Sequence, residues 1–165
     1  MNVLSKKINI MSRKNHLHRN ESKYFSLLFP GTGMNILVYT SLIFITNILT
    51  ALYKEYYLYA FLFFMLTVTS VIVHTHDNIY TNTLDKVSVM LVVIYGGNML
   101  WNKYLLCGSL PVFIVFAAFI FCIYVYLYGY LQQNYCFHSQ KCVADVYHSL
   151  LHLISSLGHH LIILL

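Results

Sequence analysis

The chain has 165 residues, of which 59% are hydrophobic and 9% charged, against about 25% charged in an ordinary soluble domain. Too few polar side chains remain to cover a water-soluble surface, so the composition excludes a soluble globular domain and points to an integral membrane protein. The formal charge of +5 is unevenly spread: Lys6, Lys7, Arg13, Lys14, Arg19 and Lys23 precede the first apolar run and only Glu21 opposes them. No recognition module surrounds these residues, which argues against a nucleic-acid partner.

In chain order, residues 1–33 read as a basic tail. The positive-inside rule places it in the cytosol, and attraction to anionic lipid is a second use for it. It lacks the compact apolar core of a cleaved signal peptide, so the first membrane helix starts insertion. Residues 34–165 read as a helical bundle, each span needing about 20 apolar residues. The first span covers 35–53 and is broken by Lys54 and Glu55. The second covers 56–75 and ends in His76, Asp77 and Asn78. The third starts at Leu84 or Asp85 and reaches Trp101. The fourth covers 104–131, with Pro111 near its start predicting a kink or a break into two pieces. The polar loop 132–141 leads to a fifth helix from Cys142 to the end.

The expected fold is therefore an all-α, multi-pass membrane bundle of about five helices, without an internal repeat or second domain. An odd number of spans puts the termini on opposite sides. The tail, the loop after helix two and the loop after helix four then share the cytosolic side.

Ionisable residues inside membrane helices mark functional sites, and here they gather at that one side. Ser70 and His74 lie four apart near the end of helix two, Asp85 opens helix three, and His148 and His152 lie four apart in the first turns of helix five. A spacing of four puts each pair on one helix face. Three histidines suffice for a catalytic zinc site, which leaves its fourth position to water and lowers the pKa of that water to about 7. Asp85 is placed to accept a proton and Ser70 to donate to a developing oxyanion. The bland alternative is a set of solvated or capping histidines, since HxxxH alone is common. His76 and Asp77 read as interfacial. His159 and His160 could line the cavity but stay outside the ligand set. Cys136, His138 and Cys142 lack the further ligand a second zinc site needs and read as free thiols with a loop histidine.

The stretches SVIVH, TLDKVSVMLVVIYGG and YHSLLHLISSLGHH resemble the superfamily of alkaline ceramidases, progestin and adipoQ receptors with hemolysin-III-like proteins, and Per1-like lipid remodellers. The resemblance covers Ser70 to Gly97 and Tyr147 to His160. It implies zinc ligands at His74, His148 and His152, polar support from Ser70 and Asp85, and a membrane lipid substrate, ceramide or a related amide or ester. HLISSLG and the Ser70–His74–Asp85 spacing resemble the ceramidase branch, while DKVSVMLVVIYGG equally resembles the receptor and hemolysin-like branch. The chain departs from the family pattern in having five helices where seven are usual, a shortfall of two between the third and the last, and in its basic rather than acidic, calcium-binding N-terminus. The expected function is thus an intramembrane zinc-dependent lipid hydrolase. The alternatives are a receptor-like or structural protein whose zinc only pins helices two and five, and a transporter subunit.

Overall fold

The computed structural model describes residues 36–76, 78–104 and 109–165. The basic tail, Asp77 and Cys107 lie outside the described residues. Among these, five helices and no strand are found, and four of the helices are long and apolar enough to cross a membrane. The protein is an all-α membrane bundle.

Helix α1 covers Ile36–Tyr53 in two segments, Ile36–Ser41 and Phe44–Tyr53. The step between them has a local cause. Thr40 and Ser41 turn their hydroxyls back onto the carbonyls of Ile36 and Leu37, a competition with the backbone that bends membrane helices. Ile43, Ile45 and Thr46 then donate their N–H groups three residues back rather than four. The helix ends at Glu55, whose φ of 62° is left-handed. Glu55 N–H bonds Leu52 and Tyr56 N–H bonds Ala51, the double closure of a Schellman end, here without its usual glycine.

Helix α2 (Tyr57–Thr75) returns beside α1, and α3 (Ile79–Tyr104) packs along α2. The start of α3 corrects the expectation from sequence. Asn78 Oδ1 accepts from the N–H groups of Tyr80 and Thr81, and Thr81 Oγ1 accepts from Asn78 N–H. This reciprocal cap opens the helix at Ile79, so Asp85 sits in its second turn rather than at its first residue.

Helix α4 runs over 109–132 as Ser109–Ile123, a π-helical segment Tyr124–Tyr128, and Gly129–Gln132. Pro111 does not break it. It stands in the first turn, where its missing N–H has no partner to lose. The irregularity lies instead at the π segment, a device frequent beside functional sites. After a short 3₁₀ turn (Tyr135–Phe137), α5 covers Lys141–Leu164. It is not among the four apolar spans: its histidines and serines lower its hydropathy, and it is accommodated because it packs against α1 and α4.

The core lies where the second half of α5 meets α2. Tyr59, Phe63, Ile162 and Ile163 are almost fully buried there. Gly96 of α3 makes this approach possible, since a Cβ at that position would collide with the Tyr59 hydroxyl and the His159 ring. Lys103, at the other end of α3, donates to the carbonyls of Ile162 and Ile163 at 2.9 and 3.3 Å, a favourable place for a cation at the end of α5. Large apolar side chains such as Leu49, Phe61 and Phe113 point outward, as a lipid-facing surface requires.

Candidate metal centre

His74 stands in the last turn of α2, and His148 and His152 occupy successive turns of α5. The bundle brings them together although α2 and α5 are far apart in sequence. One ring nitrogen from each lies within 4.8 Å of the other two. The ring centroids are separated by 5.0 Å (His74–His148), 5.4 Å (His74–His152) and 4.9 Å (His148–His152). His152 is buried and the other two are half-buried. This group could hold a metal ion.

A hydroxyl and an aromatic ring contact His152. Thr40 Oγ1 lies 3.0 Å from His152 Nδ1. The hydroxyl proton of Thr40 has the carbonyls of Ile36 and Leu37 within 3.2 Å. With its proton directed there, the Thr40 oxygen accepts Nδ1–H of His152, and the tautomer leaves Nε2 as the electron-pair donor. Phe44 packs on the ring of His152 at a steep angle, 5.4 Å between centroids.

Asp85 faces the same place from α3. Thr69 donates to its Oδ1 at 3.4 Å, and beside Thr69 on α2 the Ser70 hydroxyl accepts from Ser41 at 3.2 Å. Hydroxyl contacts thus tie α2 to α3 through Thr69 and to α1 through Ser70. Asp85, His74 and His148 line one cavity of about 370 Å³, with Lys86, Lys141 and Asp145 around it. Ser70 is buried behind Asp85 and is not part of that wall.

Of the five residues singled out from sequence, the three histidines come together, Asp85 lines the same cavity as His74 and His148, and Ser70 lies off that wall. The hydroxyls of α1, Thr40 and Ser41, were not foreseen, since their partners lie on other helices. Tyr126, from the π segment, also lines the cavity, and nothing in an aromatic-rich run distinguished it from lipid-facing neighbours.

The other histidines among the described residues are elsewhere. His159 pairs with the Tyr59 hydroxyl in a pocket of Phe63 and Phe119. His160 Nδ1 is 2.8 Å from Asn47 Nδ2, and Ser156 donates to Asn47 Oδ1 at 2.5 Å. Neither histidine lines the cavity. His76 is exposed at the end of α2. Cys136 and Cys142 are free, and Cys136 borders the cavity. His138 Nδ1 accepts the N–H of Gln140, a local loop contact.

The chain matches no protein-family model, no curated protein and no solved structure.

Proposed function

We propose that this protein is an intramembrane zinc-dependent hydrolase of a lipid amide or ester, ceramidase-like in its chemistry. The observation that carries the reading is a cluster of three histidines, two of which share one cavity of a membrane bundle with a hydroxyl-supported carboxylate. The motif resemblance to the alkaline ceramidase, progestin and adipoQ receptor and Per1-like superfamily supports it.

The donor set suits zinc: three neutral imidazoles, the ligand count of a catalytic site with one position left open. His74, His148 and His152 would hold the ion, with Thr40 fixing the tautomer of His152. When bound, zinc supplies Lewis acidity toward a water and a carbonyl. In the hydrolysis itself, water adds to the carbonyl carbon. Asp85 accepts the proton that this water releases and returns it to the leaving amine or alkoxide, so that acid and amine or alcohol are the products. Thr69, which donates to Asp85, is assigned its positioning, and Ser70, off the cavity wall, bonds Ser41 in place of the direct oxyanion contact suggested by its nearness to His74 in sequence. The basic tail would put this cavity at the cytosolic face.

A structural zinc is the second reading, favoured by one observation: the three ligands come from α2 and α5, so an ion there would pin these helices together. Activity on Asp85→Ala separates the two. The purified wild-type protein should release fatty acid from a ceramide or an acyl ester, and Asp85→Ala should keep its zinc and lose this activity. A variant that cleaves as fast as wild type would remove Asp85 from the mechanism. A zinc-loaded wild type that cleaves neither amide nor ester would favour the structural ion.

A further inference from the structure

We propose that the apolar groove between α3 and α4 is the acyl-chain subsite of the histidine cavity, and that Gly97 governs the length of chain it accepts. The identification of that chain as the substrate's rests on the hydrolase reading above.

The observation is the continuity of two helix faces. On α3, Asn82, Asp85 and Lys86 line the polar cavity, and Val93, Gly97, Trp101 and Tyr104 line a second cavity of about 560 Å³. From Asn82 to Tyr104 these positions recur at three, four or seven, so they share one face of the helix. On α4, Tyr126 lines the polar cavity while Ile123, Ile120 and Phe116 line the apolar one, again at steps of three and four. The two cavities thus follow one another along the same pair of helix faces, next to each other on α4 at Ile123 and Tyr126 and separated on α3 by the stretch between Lys86 and Val93. The first is lined by a carboxylate and two histidines, the second by apolar walls. Packing explains why it is open: α3 rests mainly on α2 and meets α4 only sparsely.

Shape and chemistry select the occupant. The apolar part follows α3 from Val93 to Tyr104, twelve residues, or roughly 16 Å at the helical rise. A polar ligand there would lose its hydrogen bonds without replacement. An acyl chain would not, and its carbonyl end would point to the histidines. Elsewhere large side chains such as Phe61 and Phe113 stand exposed on the lipid-facing surface. Here it is hollow at Gly97, where an added Cβ would meet nothing within 4 Å. The contrast with Gly96 is informative. Gly96 is needed for helices to approach, whereas Gly97 is needed by nothing in the protein itself. A larger residue at Gly97 fills the groove and leaves the fold intact.

The test uses the full-length, zinc-loaded protein in detergent micelles and a palmitic acid carrying a photoactivatable diazirine. Crosslinked peptides are mapped in wild type, in Gly97→Leu, and in Ala117→Leu, an exposed position of α4 outside the groove. Saturable labelling concentrated in 93–104 and 116–123 is expected, reduced at least about tenfold by Gly97→Leu and unchanged by Ala117→Leu. In parallel, Gly97→Leu should turn over long-chain acyl substrates at least about tenfold more slowly and retain short-chain turnover. Labelling spread evenly over lipid-facing residues of all helices would reveal bulk lipid and overturn the proposal. So would chain-to-chain crosslinks through the groove, which would make it a self-association face, or long-chain turnover by Gly97→Leu at the wild-type rate. If the wild type hydrolyses nothing yet labels saturably and in a Gly97-dependent way, the groove stands and the hydrolase reading falls.

Discussion

Thr40 has one proton to give, and the carbonyls of Ile36 and Leu37 both stand ready to take it. With that proton directed at a carbonyl, the Thr40 oxygen accepts Nδ1–H of His152, and a single hydroxyl on α1 sets the tautomer of a ring on α5. Thr40→Val preserves the shape and removes that acceptor. It should weaken zinc binding by about 10- to 100-fold, the usual consequence of losing a ligand's outer partner, measured by competition with a chromogenic chelator. An unchanged affinity would mean the His152 ring is held by packing on Phe44 alone. The residues of the site were legible in unequal measure. HxxxH and SxxxH could be read because a helix repeats its face every three to four residues, and each pair lies within one helix. Thr40 and Ser41 could not, because their partners lie on other helices and a hydroxyl in an apolar run has many bland roles.

At the scale of elements, the apolar runs fixed α1, α2 and α5 to within a few residues of their observed bounds. The error at α3 has a clear origin. Thr81, Asn82 and Thr83 are poor in apolar character and resemble loop, yet the cap formed by Asn78 and Thr81 starts the helix before them. Capping outweighed composition, and the carboxylate of Asp85 was carried into the second turn, where Thr69 reaches it. Asn78→Ala removes an acceptor for two N–H groups and should lower thermal stability by about 1 kcal/mol, read as a shift of the melting transition in detergent. Hydrolysis should fall with it if the cap holds Asp85 in register. Stability equal to wild type would show that packing on α2 alone defines the start of α3. The straight passage through Pro111 follows from its place in the first turn, whereas the π segment at Tyr124–Tyr128 left no mark in an unbroken apolar and aromatic run.

For the whole molecule, polar residues do what apolar burial cannot do in lipid, which is to choose partners among helices that lipid solvates equally well. Asn47 of α1 bonds the Ser156 carbonyl at 3.0 Å, accepts from the Ser156 hydroxyl and meets His160. Tyr59 of α2 meets His159. These contacts set α5 against α1 and α2 one to two turns beyond the metal centre, and so determine whether His148 and His152 face His74. Asn47→Leu would leave buried groups of Ser156 and His160 without this partner, at a cost of roughly 1–3 kcal/mol, and should reduce zinc occupancy without touching a ligand. That dependence was not readable in the sequence, because Asn47 lies more than a hundred residues from its partners. The account as a whole turns on whether the three histidines hold zinc. Metal analysis of the purified full-length protein tests this most directly. About one zinc per chain is predicted for wild type, with most of it lost in each of His74→Ala, His148→Ala and His152→Ala. A wild type without zinc, or full retention in all three variants, would contradict it.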